Sequence, residues 1–228
     1  RLYFFAAKHL VTSVYCVSEQ IKSQLIEFGM PSSLIKTQLL GLDLTIYKRR
    51  QQIDIQDAKE RPLRILTVAD ARPEKGLDIL ILAFLQAKRQ IQNAHLRIIG
   101  DGPLLAHARI LTESCGIQDS VDFLGRRDDV PELLSQGDLY VQPSLSEGLP
   151  LAVMEAMAAG LPIIASDVGG MSELLEDRVS GLLIPPGCID CLAAAIVELI
   201  DDVALRESLG RNAYEKSRNF DFKKSVQI

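Results

Sequence analysis

Two glutamates with seven residues between them, Glu147 and Glu155, occupy the stretch S-E-G-L-P-L-A-V-M-E-A-M-A-A-G (146–160), which is otherwise nearly apolar. Pro150 suits the first turn of a helix, and Ser146, Glu147 and Gly148 form the turn that leads into it. The first N–H groups of such a helix have no intrahelical acceptor, so they and the helix dipole stabilise an anion such as phosphate by about 0.3–1 kcal/mol or more. Gly148 allows a ligand to approach the backbone closely. Glu155 is the one charge between Leu149 and Ala165, and a carboxylate in such apolar company is costly unless it is hydrogen-bonded. It requires a specific partner, which is either a pair of vicinal ribose hydroxyls or a structural Arg or Lys.

Other chemistry-bearing residues carry weaker signals. C-I-D-C (188–191) sits at an expected helix start, where a thiolate would be stabilised, but Asp190 between the thiols opposes that charge, and Cys16 and Cys115 are too distant in sequence to complete a zinc set. These cysteines are expected to be an ordinary helix cap. His9, His95 and His107 lack ligand spacing, and no metal site is expected. G-D-G-P (100–103) is too short for a dinucleotide fingerprint and reads as a strand-to-helix turn on a ligand edge. R-R-D-D (126–129) reads as solvated surface, and Lys75 as a loop residue.

The elements that must position these residues follow from the pattern of apolar runs. Six short strands are predicted at Arg64–Ala69, Leu96–Gly100, Val121–Leu124, Leu139–Gln142, Pro162–Ser166 and Gly181–Ile184. Most are almost continuous in Ile, Leu and Val, as in strands covered on both faces. Helices are predicted between and after them, at Leu77–Gln90, Pro103–Cys115, Asp129–Gln136, Pro150–Ala159, Met171–Glu176, Ile189–Asp201 and Val203–Arg218. Right-handed crossovers make this α/β chain a doubly wound, parallel, Rossmann-like sheet whose ligands sit at the carboxyl ends of the strands.

Ahead of it, residues 1–47 hold a strand (Val11–Val17), a helix opened by Ser18 and closed at Gly29, and a second strand near Thr37–Leu40. That is too little to bury its own core, so the segment reads as the remnant of a preceding domain. The charged stretch 48–61 reads as an interdomain linker, 62–218 as the ligand-binding domain, and 219–228 as the start of a truncated element.

Composition narrows the function classes. The 228 residues are 47% hydrophobic and 24% charged with a net charge of −5, which excludes a disordered chain and gives no global basic surface for nucleic acid. The longest nearly apolar stretch contains Glu155, Gly160, Pro150 and Pro162, unlike a membrane span. Four cysteines do not make a secreted disulfide framework, so a reducing, cytoplasmic compartment is expected. Arg1 through Phe5 are expected to bury against a preceding domain rather than a membrane, and a chain that starts at Arg1 reads as a fragment.

Taken with A-M-A-A-G-L-P-I-I-A-S-D-V-G-G-M-S-E-L (156–174), G-L-L-I-P-P-G (181–187), P-E-K-G-L-D (73–78), I-G-D-G-P (99–103) and F-L-G (123–125), the two glutamates resemble the donor-binding half of family-4 glycosyltransferases, retaining enzymes of the GT-B fold. V-S-E-Q-I-K-S-Q-L-I-E-F-G (17–29) with G-L-D-L (41–44) resembles the end of their acceptor-side domain. The resemblance implies that Glu155 binds the ribose of the nucleotide and that Glu147 contacts the hydroxyls of the donor sugar. It places the sugar and diphosphate against the turn at Gly148 and Leu149, Lys75 on the diphosphate leaving group, and Gly125 and Arg126 beside the nucleobase. Glu147 and Lys75 are the catalytic candidates.

One position departs from the family pattern. Where these enzymes carry a second cation for the diphosphate, five residues before the lysine, this chain has Asp70, and a carboxylate there is repulsive. Arg72, two residues on, is kept as a candidate cation in its place, a role the resemblance does not assign.

The implied reaction transfers a sugar from a nucleotide-sugar donor with retention, through an oxocarbenium-like state and without metal or other cofactor. The leaving phosphate takes the acceptor proton while cationic and backbone groups stabilise developing charge. The acceptor, whether carbohydrate, lipid-linked or other, and any peripheral membrane contact belong to the preceding domain, so the piece alone is expected to transfer poorly. The alternatives are a non-catalytic nucleotide-sugar-binding or assembly subunit, favoured by Asp70, and an epimerase of the same fold.

Overall fold

A computed structural model describes residues 11–38, 40–50, 61–91 and 93–222. The expectations for Arg1–Phe5 and His9, for the centre of the linker and for the last six residues lie outside the described residues. The chain opens with a parallel pair, β1 (Val14–Cys16) and β2 (Ile35–Thr37), joined by helix α1 (Glu19–Glu27). The second strand lies earlier than its sequence suggests, because Ile35 is the side chain that buries with Cys16 and Met30. Ser18 caps α1, its hydroxyl accepting from the Ile21 amide.

Six strands form the main sheet: β3 (Leu63–Val68), β4 (Ala94–Ile99), β5 (Val121–Gly125), β6 (Leu139–Gln142), β7 (Ile163–Ser166) and β8 (Leu182–Ile184). All neighbours are parallel and the spatial order is β5-β4-β3-β6-β7-β8, the doubly wound order. The α/β, Rossmann-like reading therefore stands. Helices α2 (Leu77–Ala87), α3 (Leu105–Ser114), α4 (Val130–Ser135), α5 (Leu151–Ala158), α6 (Met171–Leu174), α7 (Ile189–Asp201) and α8 (Val203–Ser217) complete the layers.

Alternation along the strands divides the core in two. Ile65, Leu139, Val141 and Ile164 pack with Phe84 of α2 and Ile196 of α7, whereas Leu66, Tyr140, Ile163 and Ala165 pack with Met154 of α5 and Ala213 of α8. The strand order reverses between β3 and β6, which opens a crevice at their carboxyl ends.

The opening unit is fastened to this sheet. The amides of Glu19 and Gln20 each donate to the Glu173 carboxylate at 3.1 Å, so a side chain of α6 satisfies the free N–H groups at the start of α1. Both described ends of the 48–61 stretch are also packed down. Arg50 is buried, paired with Glu207 and donating to the Asp138 carbonyl at 3.1 Å, and Arg61 clasps the Asp138 carboxylate at 2.6 and 2.8 Å.

The expected helix cap carries more than the sequence suggests. Cys188 caps α7, its Sγ accepting from the Cys191 amide at 3.2 Å, and the two cysteines also form a disulfide, because the N-cap and third helical positions bring their Cα atoms within 5.3 Å, inside bridging range. Cys16 and Cys115 are free thiols. Among the described residues no helix is long and apolar enough to cross a membrane.

Candidate functional site

The crevice between β3 and β6 is a cleft of about 690 Å³ whose lining includes Asp70, Lys75, Asp101, Arg126, Glu147 and Leu149. Its walls are strand exits held close together by glycine. A Cβ at Gly100 (φ +132°) would lie 2.0 Å from the Ala69 carbonyl oxygen, and one at Gly102 (φ +142°) 2.4 Å from Asp70 Oδ1, so other residues would push the β3 and β4 exits apart.

A short helical turn, Pro73–Lys75, carries the lysine, and Gly76 (φ +61°) then reverses the chain against the Pro143 carbonyl oxygen, which a Cβ at this position would approach to 2.3 Å. The Leu145 amide donates to the Glu74 carbonyl at 2.8 Å and binds the two exits together. Lys75 thereby reaches Glu147, its Nζ donating to both carboxylate oxygens at 2.8 and 3.0 Å. This ion pair spans the switch point, with Glu147 nearly buried and Lys75 partly exposed. Pro150 opens α5 without a side-chain cap, and the first helical residues Leu151 and Ala152 line the same cleft.

The remaining candidates divide. Arg126 is exposed on the cleft wall, next to Gly125, whose carbonyl accepts from Gly100 N at 2.8 Å. Gly148 and Glu155 are not in the cleft lining. A Cβ at Gly148 would meet Ile21 and Val17 at ordinary contact distances, so the protein itself does not demand glycine there. Arg72 lies outside the cleft too, on a neighbouring cavity of about 320 Å³ with Pro73 and His107, and its guanidinium is paired with Asp70.

Glu155 takes a partner that its sequence context did not suggest. Tyr47, from the head of the charged stretch, donates its phenol to Glu155 Oε1 at 2.9 Å. Burial pushes the Glu155 carboxyl above the ordinary carboxylate range, with the Tyr47 hydrogen bond opposing it. Burial and the Glu155 charge likewise raise the Tyr47 phenol. A raised carboxyl pKa means that the folded chain holds this proton more tightly than the unfolded chain, so the contribution of Glu155 to stability declines as pH rises through the raised pKa. Denaturant unfolding over a pH series that starts in the ordinary carboxylate range and runs upward will show wild type losing stability relative to Glu155→Gln as pH rises. A constant difference would contradict the raised pKa.

A buried polar set lies beneath Glu147, unnoticed in the sequence because Q-P-S after an apolar strand reads as plain turn chemistry. Gln142 and Ser144 are fully buried and both donate to Glu147 Oε1, at 3.1 and 2.7 Å. The available signal was a lone glutamine ending the strand L-Y-V-Q.

Comparison with known proteins places this geometry. The family model Glycosyl transferases group 1 matches residues 48–216. The chain is 34% identical over 191 residues to the amylovoran biosynthesis glycosyltransferase AmsK of Erwinia amylovora, covering 80% of this chain and 46% of that protein. It is 30% identical over 215 residues to the putative colanic acid biosynthesis glycosyltransferase WcaL of Salmonella typhimurium, covering 90% of this chain and 52% of the relative. The chain thus spans about half the length of these curated relatives. The crystal structure of Anabaena HepE in complex with UDP and glucose superposes with a TM-score of 0.89 at 26% identity, covering 100% of this chain and 64% of that one. The sheet corresponds to the Rossmann-like C-terminal half of GT-B glycosyltransferases.

Proposed function

The chain belongs to the glycosyl transferases group 1 family, and from that premise we propose that its cleft binds a nucleotide-diphosphate sugar and supports retaining transfer of the glycosyl group, in the manner of family-4 enzymes. The observation that carries this reading is the Lys75–Glu147 pair at the switch point, one cation and one carboxylate at the edge where an open parallel sheet receives its ligand. Lys75 neutralises the diphosphate as the glycosidic bond breaks, and Glu147 accepts from sugar hydroxyls. The Gly148–Leu149 turn and the start of α5 lie along the sugar and diphosphate. Glu155 receives the ribose, with Tyr47 orienting it from behind. Gly125 and Arg126 border the base. Complexes of HepE with UDP and with UDP-glucose support a nucleotide-sugar ligand.

Residues 1–47 are read as the end of an acceptor-side domain, 48–61 as the connection and 62–218 as the donor domain, of a cytoplasmic protein whose acceptor is carbohydrate or lipid-linked. Titration calorimetry with UDP and with GDP tests the reading and names the base. One nucleotide binds wild type and binds Glu155→Ala several-fold more weakly; binding indifferent to Glu155 would overturn the ribose assignment.

Asp70 favours a second reading, a donor-binding subunit with little turnover. Asp70 lines the cleft and is paired with Arg72, which lies outside it. Asp70→Arg replaces a repulsive charge with an attractive one and releases Arg72, so nucleoside diphosphate affinity should rise by about tenfold. Calorimetry of the variant checks this, and unchanged affinity would mean that Asp70 does not face the diphosphate.

A further inference from the structure

Tyr140, Gln142 and Ser144 line up beneath the cleft as polar residues with no more than 1% exposure. Positions 140 and 142 share one face of β6, and their side chains form a chain of hydrogen bonds with one direction. The Val68 amide donates to the Tyr140 hydroxyl at 3.4 Å, and the one hydrogen of that hydroxyl goes to Gln142 Oε1 at 2.7 Å in preference to the Val68 carbonyl at 3.4 Å. With its oxygen engaged, the Gln142 amide turns both hydrogens the other way, to Ser144 Oγ at 2.8 Å and Glu147 Oε1 at 3.1 Å. The Ser144 hydroxyl then donates to the same Oε1 at 2.7 Å. Burial raises the Tyr140 phenol, which favours the protonated hydroxyl that donates to Gln142. Aligned donors strengthen one another and end on a charge.

The two oxygens of Glu147 are thereby unequal. Oε1 accepts from Lys75, Gln142 and Ser144, whereas Lys75 at 3.0 Å is the donor that the structure gives to Oε2. A diphosphate entering the cleft competes for the Lys75 ammonium, and a nearly buried carboxylate deprived of its cation needs other donors to stay in place.

We propose that Tyr140, Gln142 and Ser144 are positioning residues that hold the Glu147 carboxylate by Oε1 when Lys75 transfers to the diphosphate, leaving Oε2 to accept from a hydroxyl of the donor sugar. This inference rests on the reading of the cleft as a nucleotide-sugar site, and it makes the relay selective for the sugar rather than for the nucleotide.

The test compares a nucleotide with its sugar conjugate on the same protein. Calorimetric titrations of this chain with UDP and UDP-glucose, and with GDP and GDP-mannose, are run for wild type, Gln142→Leu, Ser144→Ala and Ser144→Thr. Gln142→Leu and Ser144→Ala should lower affinity for the sugar conjugate about five- to tenfold more than affinity for the free nucleotide, and Ser144→Thr, which keeps the hydroxyl, should restore it. Equal losses for nucleotide and conjugate would make these residues merely structural and overturn the proposal, as would no loss in either. A second measurement needs no ligand: in carbon-13 carboxyl NMR at one fixed pH, the Glu147 signal should shift in Gln142→Leu, because its Oε1 loses a donor. An unmoved signal refutes the relay. A moved signal with no nucleotide binding refutes the donor-site reading instead, and with it the sugar contact at Oε2.

Discussion

Lys75→Ala is expected to weaken binding of a nucleoside diphosphate at least tenfold, the cost of losing one charge-assisted contact of about 1.5–3 kcal/mol. Lys75 is the cation that the cleft brings onto Glu147, and it lies on a turn fixed from both sides, by Gly76 against Pro143 and by the Leu145 amide on Glu74. Its position does not depend on a ligand, so little ordering is spent when a diphosphate arrives. The variant should fold normally, because Gln142 and Ser144 remain on the Glu147 carboxylate. Calorimetry and thermal unfolding together distinguish two roles. Loss of affinity with little loss of stability assigns Lys75 to the ligand; loss of stability with affinity kept assigns it to Glu147 alone.

Asp138→Ala should have the largest effect on stability, about 3–5 kcal/mol, as expected when one member of a buried charge network is removed and the others stay buried. Asp138 is 3% exposed and accepts from Arg61 through both carboxylate oxygens and from the Arg64 amide at 2.9 Å. Arg50 and Arg206 are buried beside it, with Nε atoms that have no hydrogen-bond partner, and burial together with the charge of Arg50 lowers the Arg206 guanidinium pKa while Asp138 raises it. Taking away the carboxylate leaves this concentration of positive charge less compensated. Asp138 precedes β6, at the sheet edge opposite the cleft. Denaturant unfolding should show the loss, and nucleotide affinity of the folded fraction should stay within about twofold.

The sheet could be read from sequence with little error because its strands are short apolar runs separated by helices of the right length, and a strand buried on both faces has few other forms. Leu139–Gln142 and Ile189–Asp201 match the reading residue for residue, and other ends move by a few positions. The local features of the site were visible for the same reason: Pro150 and Gly148 mark a helix entry in sequence as they do in space.

Long-range partners were hidden. Tyr47 and Glu155 are 108 positions apart, and Tyr47 heads a charged stretch whose composition suggests only solvent. The Lys75–Glu147 contact crosses 72 positions and follows from the strand order rather than from spacing. Arg50, one of several charges in Y-K-R-R, is singled out only by the carbonyl and carboxylate it meets. The Cys188–Cys191 bridge escapes a reading based on thiolate charge, because the helix start decides the matter by distance.

The most direct test of the donor site is a nitrogen-15 correlation spectrum of the labelled chain titrated with UDP and, separately, with GDP. One of them should shift the amides of Ala69, Asp70, Lys75, Gly100–Gly102, Arg126, Arg127, Glu147, Leu149, Leu151 and Ala152, which border the cleft, while those of α8 and of β1 stay still. Shifts concentrated away from the β3 and β6 exits, or none with either nucleotide at millimolar concentration in a folded sample, would contradict the assignment of this cleft to a nucleotide sugar.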